Sequence, residues 1–102
     1  MTRGTTPTIT LTVTDVPLTG ASLYLAFRQG RHLLLKSGDD LTVDTGESTV
    51  EVTLSQEETL QFAPGSCDIQ IRGIYATGTS FATEIITDTV YDVIQNGVIE
   101  TV

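Results

Sequence analysis

The chain has 102 residues, 39% of them hydrophobic, with thirteen acidic against five basic side chains and a formal net charge of −8. That length fits one domain, residues 1–102, with core enough to fold without metal or disulfide staples, and the hydrophobic share excludes a disordered acidic tail. The charge argues against nucleic acid or an anionic membrane surface as partner, because both would repel it.

The polar arm "MTRGTTPT" opens the chain. Residues 1–6 are expected either to fray or to add as a strand along the sheet edge of a neighbour, where backbone hydrogen bonds supply affinity. No apolar run of signal-peptide or membrane-spanning length follows, so synthesis and folding in the cytoplasm are expected. From here apolar residues recur with a period of two, the spacing that puts alternate side chains on opposite faces of a strand. "PTITLTV" sets Ile9, Leu11 and Val13 against Thr8, Thr10 and Thr12. "ASLYLAFRQGRHLLLKS" reads as two strands joined at Gln29-Gly30, with Leu23, Leu25 and Phe27 inward and Tyr24 outward. "LTVD" and "STVEVTL" follow, separated by Thr45-Gly46, and Val50, Val52 and Leu54 share a face.

Ser55 and Glu58 then have the spacing of a capping box, which predicts one short helical turn over residues 56–61. After Pro64-Gly65, "CDIQIRGIYAT" alternates again, with Cys67, Ile69 and Ile71 of one parity. In "SFATEIITDTVYDVI" the apolar parity changes between Phe81/Ile85 and Ile86/Val90, as a bulge or a strand passing between sheets would require. Asn96-Gly97 is a hairpin signal, so "VIETV" is expected to form a short last strand. About seven strands with Gly or Pro turns and almost no helix make this an all-β chain, an immunoglobulin-like β-sandwich. The tryptophan and cysteine pair of true immunoglobulin domains are missing.

Candidate chemistry is sparse. The glutamates at 57 and 58 suit the positive end of a helical turn better than acid/base work. Cys67 is expected on a buried face, with Asp68 beside it disfavouring a reactive thiolate. His32, the only histidine, is expected in solvent beside Arg31 and has no partner at ligand spacing. The acidic run Asp39, Asp40, Asp44 and Glu47 does not match an EF-hand. No cofactor, no metal and no catalytic residue are expected, and the chain reads as a non-enzyme. Arg28, Arg31, His32 and Lys36 cluster around the first hairpin of an acidic protein. They serve either to neutralise its own carboxylates or to dock the acidic face of a partner or second copy.

"TRGTTPT" at 2–8, "VTLSQEETLQF" at 52–62, "IQIRG" at 69–73 and "NGVI" at 96–99 resemble short proteins encoded among the virion genes of prophages in Gram-positive bacteria. The chain is similar, more loosely, to the N-terminal immunoglobulin-like domain of phage baseplate upper proteins. Ile9 departs from that pattern, where a more polar residue is expected. The resemblance implies a virion structural protein of the tail or baseplate whose partners are other virion proteins and other copies of itself. It implies a contact role for Thr2, Arg3, Gly4, Thr5 and Thr6, and no catalytic residue. A capsid (head) decoration protein is the alternative within that class. A carbohydrate-binding or adhesion module is the alternative outside it, with Tyr24 as its one exposed aromatic platform.

Overall fold

The computed structural model describes residues 1–101. Strands β1 (Thr8–Thr12), β5 (Thr49–Thr53) and β4 (Leu41–Asp44) form a three-stranded antiparallel sheet in that order. A second antiparallel sheet runs β3 (His32–Ser37), β2 (Ala21–Gln29), β6 (Gly65–Tyr75), with β7 (Ser80–Ala82) and β8 (Ile86–Val90) in tandem along the far side of β6. The fold is an all-β sandwich. Among the described residues it has eight strands rather than about seven, because the last long run is divided in two.

That division is a register shift. Arg72 pairs with Ala82 and Ile69 with Ile86, so three steps along β6 answer to four on the opposing chain. One extra residue is a β-bulge, and it inverts the apolar parity as the sequence required. Thr83 makes the bulge good: its N–H donates to the Ile71 carbonyl (2.9 Å) and its Oγ1 accepts from the Ile71 N–H (3.1 Å). The chain stays in one sheet throughout.

Alternation dictates the core. Leu23, Leu25 and Phe27 of β2, Val50 and Val52 of β5, and Cys67, Ile69 and Ile71 of β6 are all buried, together with Leu54 and Phe62. Each large apolar side chain so buried contributes about 1.5–3 kcal/mol. The first hairpin turns on Gly30 and Arg31, one residue later than expected, with Gln29 and His32 as the closing pair. Gly30 sits at φ +58°, in the left-handed region that glycine enters without strain.

Helix α1 (Gln56–Leu60) has the predicted capping box: Glu58 N–H donates to Ser55 Oγ (3.1 Å) and Ser55 N–H to Glu58 Oε1 (2.9 Å). Its Thr59 is fully buried, and the hydroxyl lies 2.9 Å from the Thr5 carbonyl and 3.2 Å from that of Gln56. The expected last strand is absent: residues 98–101 are irregular, and Val102 lies outside the described residues. The Asn96-Gly97 signal fails because the end of the β8 edge is already taken by the N-terminal arm. The tail is held instead by Gln56, whose side-chain amide donates to the Ile99 carbonyl (3.0 Å) and accepts from its N–H (2.9 Å).

Candidate protein interface

The arm is used within its own molecule. Thr2 bridges Tyr91 in parallel, with Arg3 N–H donating to the Tyr91 carbonyl (3.0 Å) and Tyr91 N–H to that of Met1 (2.8 Å). The Arg3 guanidinium donates to the carbonyls of Phe62 (2.6 Å) and Leu60 (3.1 Å) and to Asp92 (2.8 Å) and Asn96 (2.7 Å). A five-donor fork suits this task, since the carbonyls at the end of α1 carry partial negative charge and have no strand partners. Gly4 takes φ +75° against Leu60, and Thr5 Oγ1 donates to the Thr2 carbonyl (2.6 Å). Of the expected contact residues only Thr5 and Thr6 are exposed. Within its own molecule the arm is held at Tyr91, just past β8, and at the end of α1.

The basic cluster is dispersed as well. Arg28 points to the outer face of the five-stranded sheet and pairs with Asp68 on the adjacent strand (2.9 Å). Lys36 points the other way, onto the rim of the core, and pairs with Glu58 (2.6 Å). Arg31 stands exposed in the turn. His32 is not solvated beside it: the ring is half-buried and packs edge-on against Phe62 at 4.8 Å, with Nε2 buried and unpaired. Strand alternation explains the split, since Arg28 faces outward opposite Leu33 whereas His32, Leu34 and Lys36 are of inward parity.

Two carboxyls register these pairings. Burial works to raise the Glu58 carboxyl, but Lys36 and the Ser55 N–H and hydroxyl outweigh it and hold the group below the ordinary glutamate range. The Arg28 hydrogen bond, with a second from Thr87, holds the Asp68 carboxyl low despite some desolvation. The Cys67 thiol is pushed up by burial first and by the charges of Asp88 and Asp68 next, which makes it a packing residue. Among the described residues no group of three or more His, Cys, Asp or Glu side chains is placed to hold a metal ion. Asp44 in the acidic run accepts from the Glu47 N–H (3.0 Å), an ordinary turn bond.

What the fold does assemble is a contrast between two outer faces. The outer face of the three-stranded sheet presents the threonines of β1 and β5 with Glu51 and Asp44, and no basic group. The outer face of the five-stranded sheet presents Leu33 and Leu35 of β3, Tyr24 of β2 and Ile74 of β6, all exposed, and Ile85 of the bulge overhangs it. Ala26, Arg28, Leu33, Asp68, Gln70 and Ile85 line a hollow of about 160 Å³ there. Its only acid is Asp68, already paired with Arg28, while Arg72 stands exposed without an ion pair among the described residues. The sequence carries a signal for this surface. "HLLLK" puts leucine at both parities of one strand, so Leu33 and Leu35 must face out if Leu34 faces in. Tyr91, just past β8, is also exposed.

Scanned against models of known protein families the chain has no match, and a search of curated proteins also finds none.

Proposed function

We propose that this chain is a non-enzymatic structural protein of a bacteriophage virion, a component of the tail or baseplate that acts by docking to other virion proteins. The observation that carries the docking role is the stripe of exposed apolar side chains, Leu33, Leu35, Tyr24 and Ile74, on the outer face of the five-stranded sheet. It is flanked there by the Arg28–Asp68 pair, Gln70, and Arg72, which has no ion pair among the described residues. A solvated sheet face alternates polar residues outward, as the three-stranded sheet does, whereas contiguous exposed apolar side chains on a sandwich mark an interaction site. The virion assignment is supported by the resemblance of the segments at 2–8, 52–62, 69–73 and 96–99 to prophage virion-gene proteins. The arm, committed to its own fold, is a strut rather than the docking element.

Mass spectrometry of purified virions tests the reading: the chain should be present in stoichiometric amount, and its absence from virions would sink the proposal. Labelling followed by electron microscopy then separates a tail or baseplate position from capsid decoration. One observation favours a carbohydrate-binding reading instead. Tyr24 stands 52% exposed beside a groove of about 440 Å³ that Arg72, Ile74 and Ser80 also line, and a ring face so placed can stack on a sugar. Glycan-array binding lost in Tyr24→Ala would support that second reading.

A further inference from the structure

We infer that the outer face of the five-stranded sheet is an interface between two copies of this chain, packed face to face about a two-fold axis. The inference rests on the docking role proposed above and names its first partner.

A sandwich can self-associate through a sheet edge or through a sheet face, and here the edges of the five-stranded sheet are guarded. An inward-pointing charge on an edge strand is a device against strand addition, and β3 has one in Lys36, held on the core rim by Glu58 at 2.6 Å. The end of the β8 edge is capped by the arm, with Thr2 bridged to Tyr91 just past the strand and the Met1 amine donating to the Thr89 carbonyl (2.7 Å). Strand β7 is three residues long, too short to template a partner strand. The face between these edges carries no such protection.

Area and charge then point to a second copy. Tyr24, Leu33, Leu35, Ile74 and Ile85 are between 42% and 64% exposed. At about 200 Å² for a fully exposed large side chain they present roughly 500 Å² of apolar surface. A standard interface buries about 800 Å² per partner, of which homodimers make about 65% apolar, so this face matches one half of such a dimer. The chain bears a net charge of −8, so two copies repel through most orientations. On this face Asp68 is the one acid among the strand positions and is paired with Arg28, while Arg72 adds one positive charge, so two copies meeting here bring no unpaired strand acids together. An isologous contact of this kind needs only one self-complementary patch.

The test is molar mass by sedimentation or light scattering across a concentration series up to about 1 mM, on the full chain. Wild type should pass from monomer to dimer. Leu35→Glu, on an exposed position, should weaken the dimer at least tenfold by burying an unpaired charge, while Thr10→Glu on the opposite face should leave it unchanged. A monomer mass throughout, or a dimer indifferent to Leu35→Glu and equally to Ile74→Glu, overturns the inference. Circular dichroism of each variant checks the fold, and the wild-type series decides the matter even if a variant does not fold. Failure here is separate from failure of the virion reading, because a monomeric chain still found in purified virions keeps the docking role and loses only this partner.

Discussion

Arg3→Ala removes the one side chain that ties the arm, the end of α1 and the tail together. Its side chain is 15% exposed, and the guanidinium donates to two backbone carbonyls and to two side chains. Hydrogen bonds to a charged group contribute about 1.5–3 kcal/mol each when removal leaves the partner buried. Asp92 is largely solvated, so its bond adds little. The Leu60 and Phe62 carbonyls lie partly buried and lose their donor outright. Water will reach them as the arm loosens, which brings the expected loss to about 3 kcal/mol in total. For a domain of this size that is a fall in Tm of roughly 12–24 °C. Urea denaturation of Arg3→Ala, Arg3→Lys and Asp92→Asn measures it. Lysine keeps the charge without the planar fork and should recover only part of the loss, and Asp92→Asn should change little. If Arg3→Ala stays within about 0.5 kcal/mol of wild type, the guanidinium does not anchor the arm. The arm would then again be free to serve a neighbour.

Three further outcomes follow from the same geometry. The Glu58 carboxyl is lower in the folded state than in the unfolded one, so its contribution is present above the unfolded glutamate pKa of about 4.3 and is lost as pH falls through the folded value. Glu58→Gln should cost about 1 kcal/mol at neutral pH, and the acid limb of stability against pH should flatten in it; an unchanged limb refutes the pairing. At Gly73 an added Cβ would run into the Phe81 ring and approach Leu23 at 3.0 Å. Gly73→Ala should therefore destabilise by about 1–3 kcal/mol in thermal denaturation, with Phe81→Leu relieving part of it. Cys67 is fully buried with its thiol pushed up, so a thiol reagent should label it only at the rate of unfolding, and fast labelling of native protein would contradict the packing.

Much of the sandwich was legible in the chain because its periods are local. Leu23, Leu25 and Phe27, then Val50, Val52 and Leu54, then Cys67, Ile69 and Ile71 were placed inward by alternation alone, and all are buried. The capping box at Ser55 and Glu58 needed only a three-residue spacing. The bulge was legible as a parity change, although its site needed the pairing of β6 with both β7 and β8. Where the reading failed, the deciding partner was distant in sequence. Asn96-Gly97 carries a hairpin signal, but Thr2 and Arg3 hold the end of the edge that hairpin would have used. His32 reads as a solvated residue in a basic stretch, and Phe62, thirty positions on, covers it.

The all-β class, the inward set of side chains and the corner at α1 follow from local sequence, because each depends on residues within a strand or a turn of one another. What the basic residues and the arm do depends on contacts between distant elements. Arg28, Lys36 and Arg3 each found a partner on another element, at Asp68, Glu58 and the end of α1, and a charge's role is set by the nearest opposite charge in space. The outer face is the same kind of fact. Tyr24, Leu33, Leu35 and Ile74 are scattered through the chain, and strand pairing alone gathers them into one surface.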